Sequence, residues 1–470
     1  MTATTSLSRL AHRELADLSD RLIGPEDPDY DQARAVHNGM IDRHPALIVP
    51  CANADEVART IAFARRHGVP IAVRGGGHNG GGLGVVDDGV VIDLAGISDV
   101  EVIPQSNIVR VGGGATWGQV DRATAEHGCV VPSGIISTTG VGGLTLGGGM
   151  GHLTRRFGLT IDNLVGADVV LADGSQVHTD AHQHPDLFWA LRGGGGNFGV
   201  VTAFEFRTHP LGATVMAGPT FWPMEQLPEV MRFYREFLPA APRNLNGFFA
   251  SMTVPPVDLF PAELHMRKVC GIFWCITGSE ADAAELLAPV HEVGTPLLHG
   301  VGPIPHPDLQ SLFDGLYVKG LQCYWRADFV NELPDALIAK HLEWSEKLPS
   351  MHSTMHLYPI SGAAHDVGAS DTAFNYRDTQ WAEVIFGVDP DPARAGDMRD
   401  WCVGYWDATH PYSAGGAYVN FMMDEGQERV KATYRDNYDR LAQVKAAYDP
   451  DNVFHVNQNI QPASVPAPSA

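Results

Sequence analysis

The stretch Val73-Arg74-Gly75-Gly76-Gly77-His78-Asn79-Gly80-Gly81-Gly82 sets one histidine between two runs of glycine. It follows a strand-like run at 69–73 and precedes another at 90–94. Glycine has no Cβ, so backbone N–H groups in such a loop can approach an anionic group closely, and a pyrophosphate suits that arrangement. A histidine at the centre of the loop has little to pack against. The pattern therefore predicts a chemical role for His78.

Length and charge narrow the class of protein. The 470 residues exceed one ordinary core, which predicts two or three structural units. The formal net charge is −23, from 32 Lys and Arg against 55 Asp and Glu. Such a chain has no basic footprint, so we expect neither nucleic acid nor an anionic membrane as a partner. No apolar run reaches about 18 residues, so no membrane span is expected, and no pattern indicates an oligomeric state.

The cysteines and histidines show no metal-binding spacing. Six cysteines are scattered without a CxxC pair, which predicts neither a disulfide framework nor a zinc site. His178, His182 and His184 are close in sequence, but a solvated loop is the favoured interpretation, so no metal is predicted. Residues 1–22 carry charges and lack an apolar core, so they are not a signal peptide. Reduced thiols and this N-terminus predict a cytoplasmic protein.

The N-terminal part has a mixed α/β pattern with four glycine clusters. A strand at 46–49 precedes a helix that Asn53 and Glu56 begin as a capping box and Gly68 ends, and the next strand runs into the His78 loop. The further clusters lie at 112–114, 140–149 and 193–199. Past Pro210 glycine becomes rarer and strand-like runs appear. We predict a first domain at 1–210, a second at 211–415 and a returning C-terminal segment at 416–470, with a disordered tail after Ile460.

Two segments of the second domain alternate polar and apolar residues with a period of two. In one, Thr354, His356 and Tyr358 share a face, and in the other Tyr324 and Arg326 do so. This spacing predicts strands of a sheet with one polar face. That face is either solvated or turned towards a ligand, and the pattern leaves both alternatives open.

The glycine clusters match no single-loop nucleotide motif. None has the Lys-Ser/Thr ending of a P-loop, and none carries the Rossmann fingerprint with its acidic residue in context. Four clusters within about 200 residues are better explained by one long dinucleotide that several loops contact.

Several segments, in order, match one family. They are 73–79, 112–118, 140–149, 186–202, 418–420 and 448–460. Through them the chain resembles the berberine-bridge-enzyme-like branch of the vanillyl-alcohol-oxidase flavoprotein superfamily, the FAD-linked oxidases. The resemblance covers nearly all of the chain from about Ile23. It implies an α+β fold, with a PCMH-type FAD-binding domain of two α/β subdomains and a substrate domain whose large antiparallel sheet is flanked by helices.

The resemblance also implies cofactor contacts. His78 would be joined through a ring nitrogen to the 8α-methyl of the flavin, the alternative being a histidine that only hydrogen-bonds phosphate. Asn457 would fold back onto the flavin. The loop around His78 would hold the pyrophosphate through Arg74, Gly75, Gly76, Gly77 and Asn79. The GVGG element and the glycines after it would lie over the flavin, with Gly140, Val141, Gly142, Gly143, Gly147 and Gly148. A third segment would border the adenosine with Gly199, Val200 and Val201.

One position departs from the family pattern. Many members carry a cysteine four residues before the GVGG element, and it forms a second covalent link to the flavin. Here that position is Ile136, and Cys129 resembles a buried apolar cysteine. The expected cofactor is therefore FAD attached by one link, through His78.

In bacterial relatives a tyrosine in a Tyr-x-Asn element takes the substrate's proton, and Tyr418 holds that position in a strand-like run at 417–421. An ordinary tyrosine has a pKa near ~10, so it would need help from the flavin or from a nearby cation. The alternative is a core tyrosine. Candidates for the substrate wall are Tyr324, Arg326, His356, Tyr358 and Tyr376.

The resemblance predicts an oxidase for a small organic alcohol or amine, such as a sugar, an alkaloid or a secondary metabolite. The flavin would take hydride and pass the electrons to molecular oxygen, which leaves as peroxide. In the family a valine in the GVGG element leaves room for oxygen, so Val141 predicts rapid reoxidation. The alternatives are a dehydrogenase that uses another acceptor and a flavin-binding protein without turnover.

Overall fold

The computed structural model describes residues 3–464. Part of the predicted disordered tail, residues 465–470, lies outside these described residues. Residues 461–464 lack regular secondary structure, yet the N–H of Ala463 donates to the carbonyl of Ala442 (2.9 Å), so this part of the tail is tied to the fold.

The first sheet is parallel, and the predicted β-α-β unit builds it. Its strands pair in the order β1-β3-β2: β1 (Leu47–Pro50), β2 (Ile71–Arg74) and β3 (Val90–Asp93). The helices are α1 (Ala3–Glu14), α2 (Tyr30–Arg34) and α3 (Ala54–His67). The Asn53 side chain accepts from the N–H of Glu56, and Gly68 ends α3 in the left-handed region with φ +63°. The predicted caps of α3 therefore fix the entry to β2 and to the His78 loop.

The second sheet is antiparallel and has the order β4-β5-β9-β7-β8, with β6 and β10 forming a separate pair. Its strands are β4 (Val100–Ile103), β5 (Ile108–Gly112), β6 (Cys129–Val130), β7 (Leu164–Val170), β8 (Gln176–Asp180), β9 (Val200–Arg207) and β10 (His209–Pro210). Its helices are α4 (Trp117–Ala125), α5 (Val141–Gly147), α6 (Thr154–Phe157) and α7 (Pro185–Leu191). Trp117 and Phe204 are fully buried in its core.

The third sheet is the largest, with eight antiparallel strands. Along its path the order is β14-β11-β13-β12-β17-β18-β16, and β15 pairs with β11. The strands are β11 (Val215–Pro223), β12 (Leu245–Thr253), β13 (Lys268–Ile276), β14 (Leu298–His299), β15 (Gly302–Ile304), β16 (Gln322–Val330), β17 (Thr354–Pro359) and β18 (Trp381–Asp389). The helices are α8 (Leu227–Ala240), α9 (Glu280–Leu287), α10 (His306–Gln310), α11 (Asp335–Ser345) and α12 (Ala395–Thr409).

Helices cover one face of this sheet. Side chains of α8, α11 and α12 pack with the strands into a core that contains Trp222, Trp274 and Trp381. The other face, which includes Phe248 and Tyr358, packs against the returning C-terminal segment at Tyr418 and Phe421. The predicted α+β fold, with a large antiparallel sheet flanked by helices, is confirmed.

The C-terminal segment is helical where a strand was expected. The strand predicted at 417–421 is wrong: a 3-10 helix runs over Val419–Phe421. It precedes α13 (Gln427–Tyr434), a 3-10 turn at Arg435–Asn437 and α14 (Tyr438–Tyr448). Among residues 3–464, no helix has the length and apolar character needed to cross a membrane.

Candidate functional site

One cavity of about 360 Å³ runs between the glycine loops of the first two sheets, the open face of the third sheet and the C-terminal segment. Its walls come from three distant parts of the sequence. They include the loop 74–79, the loop 134–144, the segment 195–201, residues 417–421 and Asn457, together with strands β16, β17 and β18.

Two glycine loops meet so closely that there is no room for a side chain at Gly76 or at Gly140. A Cβ on Gly76 would lie 2.4 Å from the nitrogen of Gly140, and a Cβ on Gly140 would lie 2.3 Å from the nitrogen of Gly76. Gly77 has φ +70°, in the region that favours glycine. The predicted His78 loop and the GVGG element therefore form one continuous backbone surface, which we call the cradle.

The cradle offers free donors to the cavity. The N–H groups of Gly75, Gly76, Gly77, His78 and Asn79 donate to no acceptor among residues 3–464. Consecutive backbone donors of this kind form an anion-binding concavity. The loop therefore fits the pyrophosphate of FAD, the cofactor that the sequence implies.

Arg74 braces the cradle and does not supply a free charge to it. Its guanidinium donates to the Asp93 carboxylate (2.6 Å) and to the carbonyl of Ala33 (2.6 Å). The side chain is largely buried in these contacts. Backbone donors, and not this cation, are therefore the groups that face an anion.

His78 lies in the cavity with one ring nitrogen engaged. Its Nε2 is 3.1 Å from Oγ1 of Thr138, and its ring stacks on His37 with the centroids 4.1 Å apart. Burial lowers the pKa of His78 to about 3, so the imidazole is neutral at pH 7. Nδ1 has no partner among the described residues. A neutral imidazole held in this way can form a bond to carbon through Nδ1.

Ile136 lines the cavity at the position where relatives carry the second cysteine link. Cys129 lies in β6, outside the cavity lining, and its Sγ is 3.4 Å from the carbonyl of Thr124. Burial raises the pKa of the Cys129 thiol, which disfavours the thiolate.

The GVGG element splits into two roles. Gly140, Gly142 and Gly143 line the cavity, but the Val141 side chain is fully buried in the core of the second sheet. The premise that this valine borders the oxygen site is therefore corrected: Thr139 lines the cavity next to Gly140 instead.

Gly147 and Gly148 leave room for two side chains of the C-terminal segment. A Cβ on Gly147 would lie 2.3 Å from Oδ1 of Asn420. A Cβ on Gly148 would lie 3.2 Å from the Tyr418 ring. These glycines let the C-terminal segment approach the cradle.

The segment predicted to border adenosine also lines the cavity, through Gly199, Val200 and Val201. Nδ2 of Asn457 donates to the carbonyls of Gly196 (3.1 Å) and Phe454 (2.9 Å). Its Oδ1 is buried and has no partner among the described residues. Asn457 therefore presents an acceptor that is available to a bound molecule.

A buried lysine that the sequence analysis missed pins this region. Nζ of Lys445 donates to the carbonyl of Asn197 (2.7 Å), to the carbonyl of Phe454 (3.0 Å) and to Asp449 (2.6 Å). Both Lys445 and Asp449 are fully buried. The i,i+4 spacing of Lys445 and Asp449 at the end of a helix was the available signal.

Tyr418 is buried at the cavity, and its oxygen receives two hydrogen bonds. The N–H of Gly149 and Nδ2 of Asn420 both donate to the hydroxyl oxygen at 2.8 Å. The other hydrogen of Asn420 Nδ2 goes to the carbonyl of Leu144 (3.0 Å), which fixes the orientation of the amide. Burial raises the pKa of Tyr418 to about 12, although the two donors act to lower it. The hydroxyl hydrogen has no acceptor among residues 3–464, so it is available to a bound molecule.

Two of the five substrate candidates line the cavity. His356 and Tyr358 project from β17, with Nδ1 of His356 2.8 Å from the Tyr358 hydroxyl. Burial lowers the pKa of His356 to about 3 and raises the pKa of Tyr358 well above its ordinary value. Both side chains are uncharged at pH 7.

Tyr324 and Arg326 point to the opposite face of the sheet, so their expected place in the substrate wall is corrected. Arg326 pairs with Glu425 (2.8 Å) and lies over the ring of Trp406. Because neighbouring residues of a strand alternate between faces, Trp325 lines the cavity instead. The polar alternation in β16 therefore marks a buried ion-pair network, which is neither a solvated face nor a face turned towards a ligand.

Tyr376 is also outside the cavity lining, and its expected role is corrected. Its hydroxyl donates to the carbonyl of Ala432 (2.9 Å), and the guanidinium of Arg435 lies 3.5 Å from its ring centroid. It therefore joins residues of the second domain to the C-terminal helices.

No group of three or more metal-ligating side chains occurs among residues 3–464. His178 pairs with Asp168 (2.8 Å) at the surface of the second sheet. His184 contacts the Tyr448 hydroxyl (3.3 Å).

Two family profiles match the sequence. One describes an FAD binding domain and covers residues 45–180, and the other describes berberine and berberine-like proteins and covers residues 417–461. They coincide with the cradle and with the segment that carries Tyr418 and Asn457.

Whole-chain relatives agree with the profiles. The FAD-linked oxidoreductase YgaK of Bacillus subtilis is 30% identical over 96% of this chain and 98% of its own length. The (R)-6-hydroxynicotine oxidase of Paenarthrobacter nicotinovorans is 27% identical over 95% and 97%. The glucooligosaccharide oxidase of Acremonium strictum, whose structure concerns a 6-S-cysteinyl, 8α-N1-histidyl FAD, shares the fold with a TM-score of 0.85 at 23% identity, over 99% of this chain and 100% of that one.

Proposed function

The chain belongs to the berberine-bridge-enzyme-like family of FAD-linked oxidoreductases, and from that premise we propose that it is an oxidase. FAD is attached by one covalent link through His78. The substrate is a small organic molecule with an alcohol or amine C–H, and the electrons leave to molecular oxygen as hydrogen peroxide. The alternative is a dehydrogenase that passes the electrons to another acceptor.

One observation carries the proposal: Tyr418 and His78 face the same cavity, and the Tyr418 oxygen is held by two N–H donors. A core tyrosine would need an acceptor for its own hydroxyl hydrogen. Here both donors point at the oxygen, which is the arrangement that stabilises a phenolate. These two hydrogen bonds support Tyr418 as the residue that takes a proton from a substrate.

FAD would be held by three groups of the cavity. The backbone N–H groups of 75–79 would donate to the pyrophosphate, Nδ1 of His78 would form the covalent link, and Oδ1 of Asn457 would accept a hydrogen bond. Bound FAD would supply the hydride acceptor and the route by which dioxygen takes the electrons away. In this arrangement residues 1–210 hold the cofactor, 211–415 the substrate, and 416–470 bring Tyr418 and Asn457 to both.

The raised pKa of Tyr418 sets a condition on its role. With a pKa of about 12, the residue is a phenol at pH 7. To act as a base it must first release its own proton to solvent, and the donors Gly149 and Asn420 then stabilise the phenolate oxygen that remains. Among residues 3–464 no Lys or Arg side chain donates to this oxygen, so neutral donors take the part expected of a cation.

The test measures both half-reactions of the holoprotein. Compounds that bleach the flavin absorbance without oxygen identify substrates, and admitting air should restore the absorbance with one peroxide released per substrate oxidised. Restoration that is slow in air but rapid with a quinone would replace the oxidase with the dehydrogenase. If every compound binds and none bleaches the flavin, both the oxidase and the dehydrogenase hypotheses are contradicted.

A further inference from the structure

The open face of the third sheet lines the cavity with apolar and aromatic side chains. Trp325 of β16 stands opposite Phe386 of β18 in the strand register, and Val384 stands opposite His356 of β17. The rings of Trp325 and Phe386 are 4.7 Å apart, and Tyr317 packs on Phe386 at 5.4 Å. We call these five residues, Tyr317, Trp325, His356, Val384 and Phe386, the aromatic roof.

The aromatic surface reaches from the cradle to the candidate base. The Trp325 ring lies so close to Gly80 that a Cβ there would be 2.1 Å from it. At the other end, Phe421 packs on Tyr418 (4.8 Å) and on Tyr358 (5.8 Å). A flat molecule held under the roof therefore reaches Tyr418 along apolar contacts.

The wall of loop 134–144 and its neighbours is apolar too. Ile135, Ile136 and Met150 line the cavity beside the cradle. Ile136 occupies the position at which the family pattern has a flavin-bound cysteine. The isoleucine side chain therefore adds apolar surface to the cavity at this point.

Among the described residues, no side chain that lines the cavity is free to neutralise a charged ligand. None of its lining residues in the described part of the chain is Asp, Glu or Lys. Arg74, the one guanidinium among them, is already paired with Asp93. Burial lowers the pKa of His37, His78 and His356, so these rings are neutral at pH 7.

Charged side chains do lie nearby, but in an adjoining groove. Asp29, Asp93, Asp314 and Lys319 line that groove, which shares only His37, the loop 74–78 and Tyr317 with the cavity. The face of β16 that carries Arg326 and Asp328 is turned away from the cavity. Charge is therefore segregated from the space under the aromatic roof.

We propose that the substrate is an uncharged, largely apolar aromatic alcohol, bound under the aromatic roof with its hydroxyl at Tyr418. The inference rests on the proposed function and narrows it. A buried ion without a partner is strongly disfavoured, which excludes carboxylates and protonated amines. A sugar is disfavoured because its many hydroxyls would lose water without finding enough partners.

The test uses the wild-type holoprotein and four matched probes: 4-isopropylbenzyl alcohol, 4-isopropylbenzylamine, 4-(hydroxymethyl)benzoate and cellobiose. Binding is measured at pH 7 without oxygen from the change in the flavin absorbance spectrum, and bleaching is recorded in the same titration. We expect the neutral alcohol to bind at least about 100-fold more tightly than each of the other three. Equal or tighter binding of any of the three, or no binding of the neutral alcohol, overturns the inference.

Binding and bleaching separate this inference from the proposed function. If the neutral alcohol binds selectively but no probe bleaches the flavin, the aromatic class stands and the hydride-transfer role fails. If the benzoate bleaches the flavin more rapidly than the neutral alcohol, the oxidoreductase role stands and the requirement for an uncharged substrate fails. If cellobiose does so, the oxidoreductase role stands and the aromatic class fails.

Variants add a second measurement. Phe386→Leu should weaken binding of the neutral alcohol about tenfold by removing ring contacts, while Tyr412→Leu, an exposed aromatic outside the cavity, should leave it unchanged. Ile136→Lys places a cation in the half-buried wall and should raise the affinity for the benzoate at least about tenfold. An Ile136→Lys protein that folds, retains flavin and gains nothing for the benzoate would show that the wall does not contact the substrate.

Discussion

The cradle and the aromatic roof line opposite parts of the cavity with different groups. The cradle presents backbone, with Gly76 and Gly140 so close that no Cβ fits between them. The aromatic roof presents side chains, most of which come from three neighbouring strands. Backbone recognises what is constant in a ligand, here a pyrophosphate, whereas side chains can change with the substrate. The comparison predicts that small changes in the cradle act on the cofactor and changes near the roof act on turnover.

The largest effect is expected where these two parts of the cavity meet, at Tyr418. Tyr418→Phe removes the oxygen that Gly149 and Asn420 hold, so flavin reduction by substrate should slow by ~10²–10⁴-fold while flavin content is kept. Tyr412→Phe, on an exposed residue, is the control. Anaerobic stopped-flow reduction measures both, and a wild-type rate in Tyr418→Phe would return Tyr418 to the core-tyrosine interpretation.

The same tyrosine predicts the direction of the pH dependence. The active form has lost its proton, and burial raises the pKa of Tyr418 to about 12. Below that pKa the deprotonated fraction rises about tenfold per pH unit, so flavin reduction should keep rising between pH 7 and pH 10 without a plateau. The profile of Tyr418→Phe should be flat over this range. A wild-type plateau near pH 7 would assign the base to another group.

A large effect on stability is expected at Lys445. Lys445→Met leaves the buried Asp449 without its cation, and breaking a buried pair in this way costs ~3–5 kcal/mol. Denaturant unfolding should show that loss. Lys431→Met removes an exposed pair with Glu428 and should cost less than about 1 kcal/mol. Equal losses in both variants would contradict the structural role of Lys445.

The cradle should respond to a single methyl group. Gly140→Ala places a Cβ 2.3 Å from the nitrogen of Gly76, and overpacking of this kind costs about 1–3 kcal/mol. Flavin content after purification should fall accordingly. Gly396→Ala, in α12 with open space around it, should keep the flavin and unfold no earlier than wild type. Full flavin retention in Gly140→Ala would show that the two loops can separate.

His78 should matter for the link and little for affinity. His78→Ala leaves the backbone donors of 75–79 in place, so FAD should still bind but be released when acid precipitates the protein. Wild-type protein should stay yellow in acid, with the flavin mass on the peptide that contains His78. Cys129→Ser should change neither result, and flavin found on Cys129 would reverse the assignment.

The smallest effect is expected at Val141. Because its side chain is buried in the core and does not line the cavity, Val141→Leu should lower stability slightly through overpacking and leave reoxidation by oxygen within about twofold of wild type. Thr139→Leu is the matched change on the lining itself. Stopped-flow reoxidation in air distinguishes them, and a slow Val141→Leu protein would restore the valine to the oxygen path.

The sequence predicted the cradle well because its signals are local. Glycine at 75–77 and 140–143 can be seen directly, and the capping of α3 by Asn53 and Gly68 follows known rules. The roof was predicted less well. In β16 the polar residues Tyr324 and Arg326 alternate as a ligand face would, yet Arg326 contacts Glu425 and Trp406, which are about 80 to 100 residues away in the chain. The period-two alternation of a strand identifies its two faces, but it does not tell which face a distant segment of the chain will cover.

The buried contact of Lys445 with Asn197 also has a consequence for the order in which the protein is made. During synthesis, residues up to about 200 can fold as they emerge, but the wall that carries Tyr418, Lys445 and Asn457 is translated more than 200 residues later. Until then the cradle is open on that side. We therefore expect a nascent chain that has emerged only as far as α12 to hold FAD loosely. Firm capture then begins only when the ribosome has delivered the segment that contains Asn457.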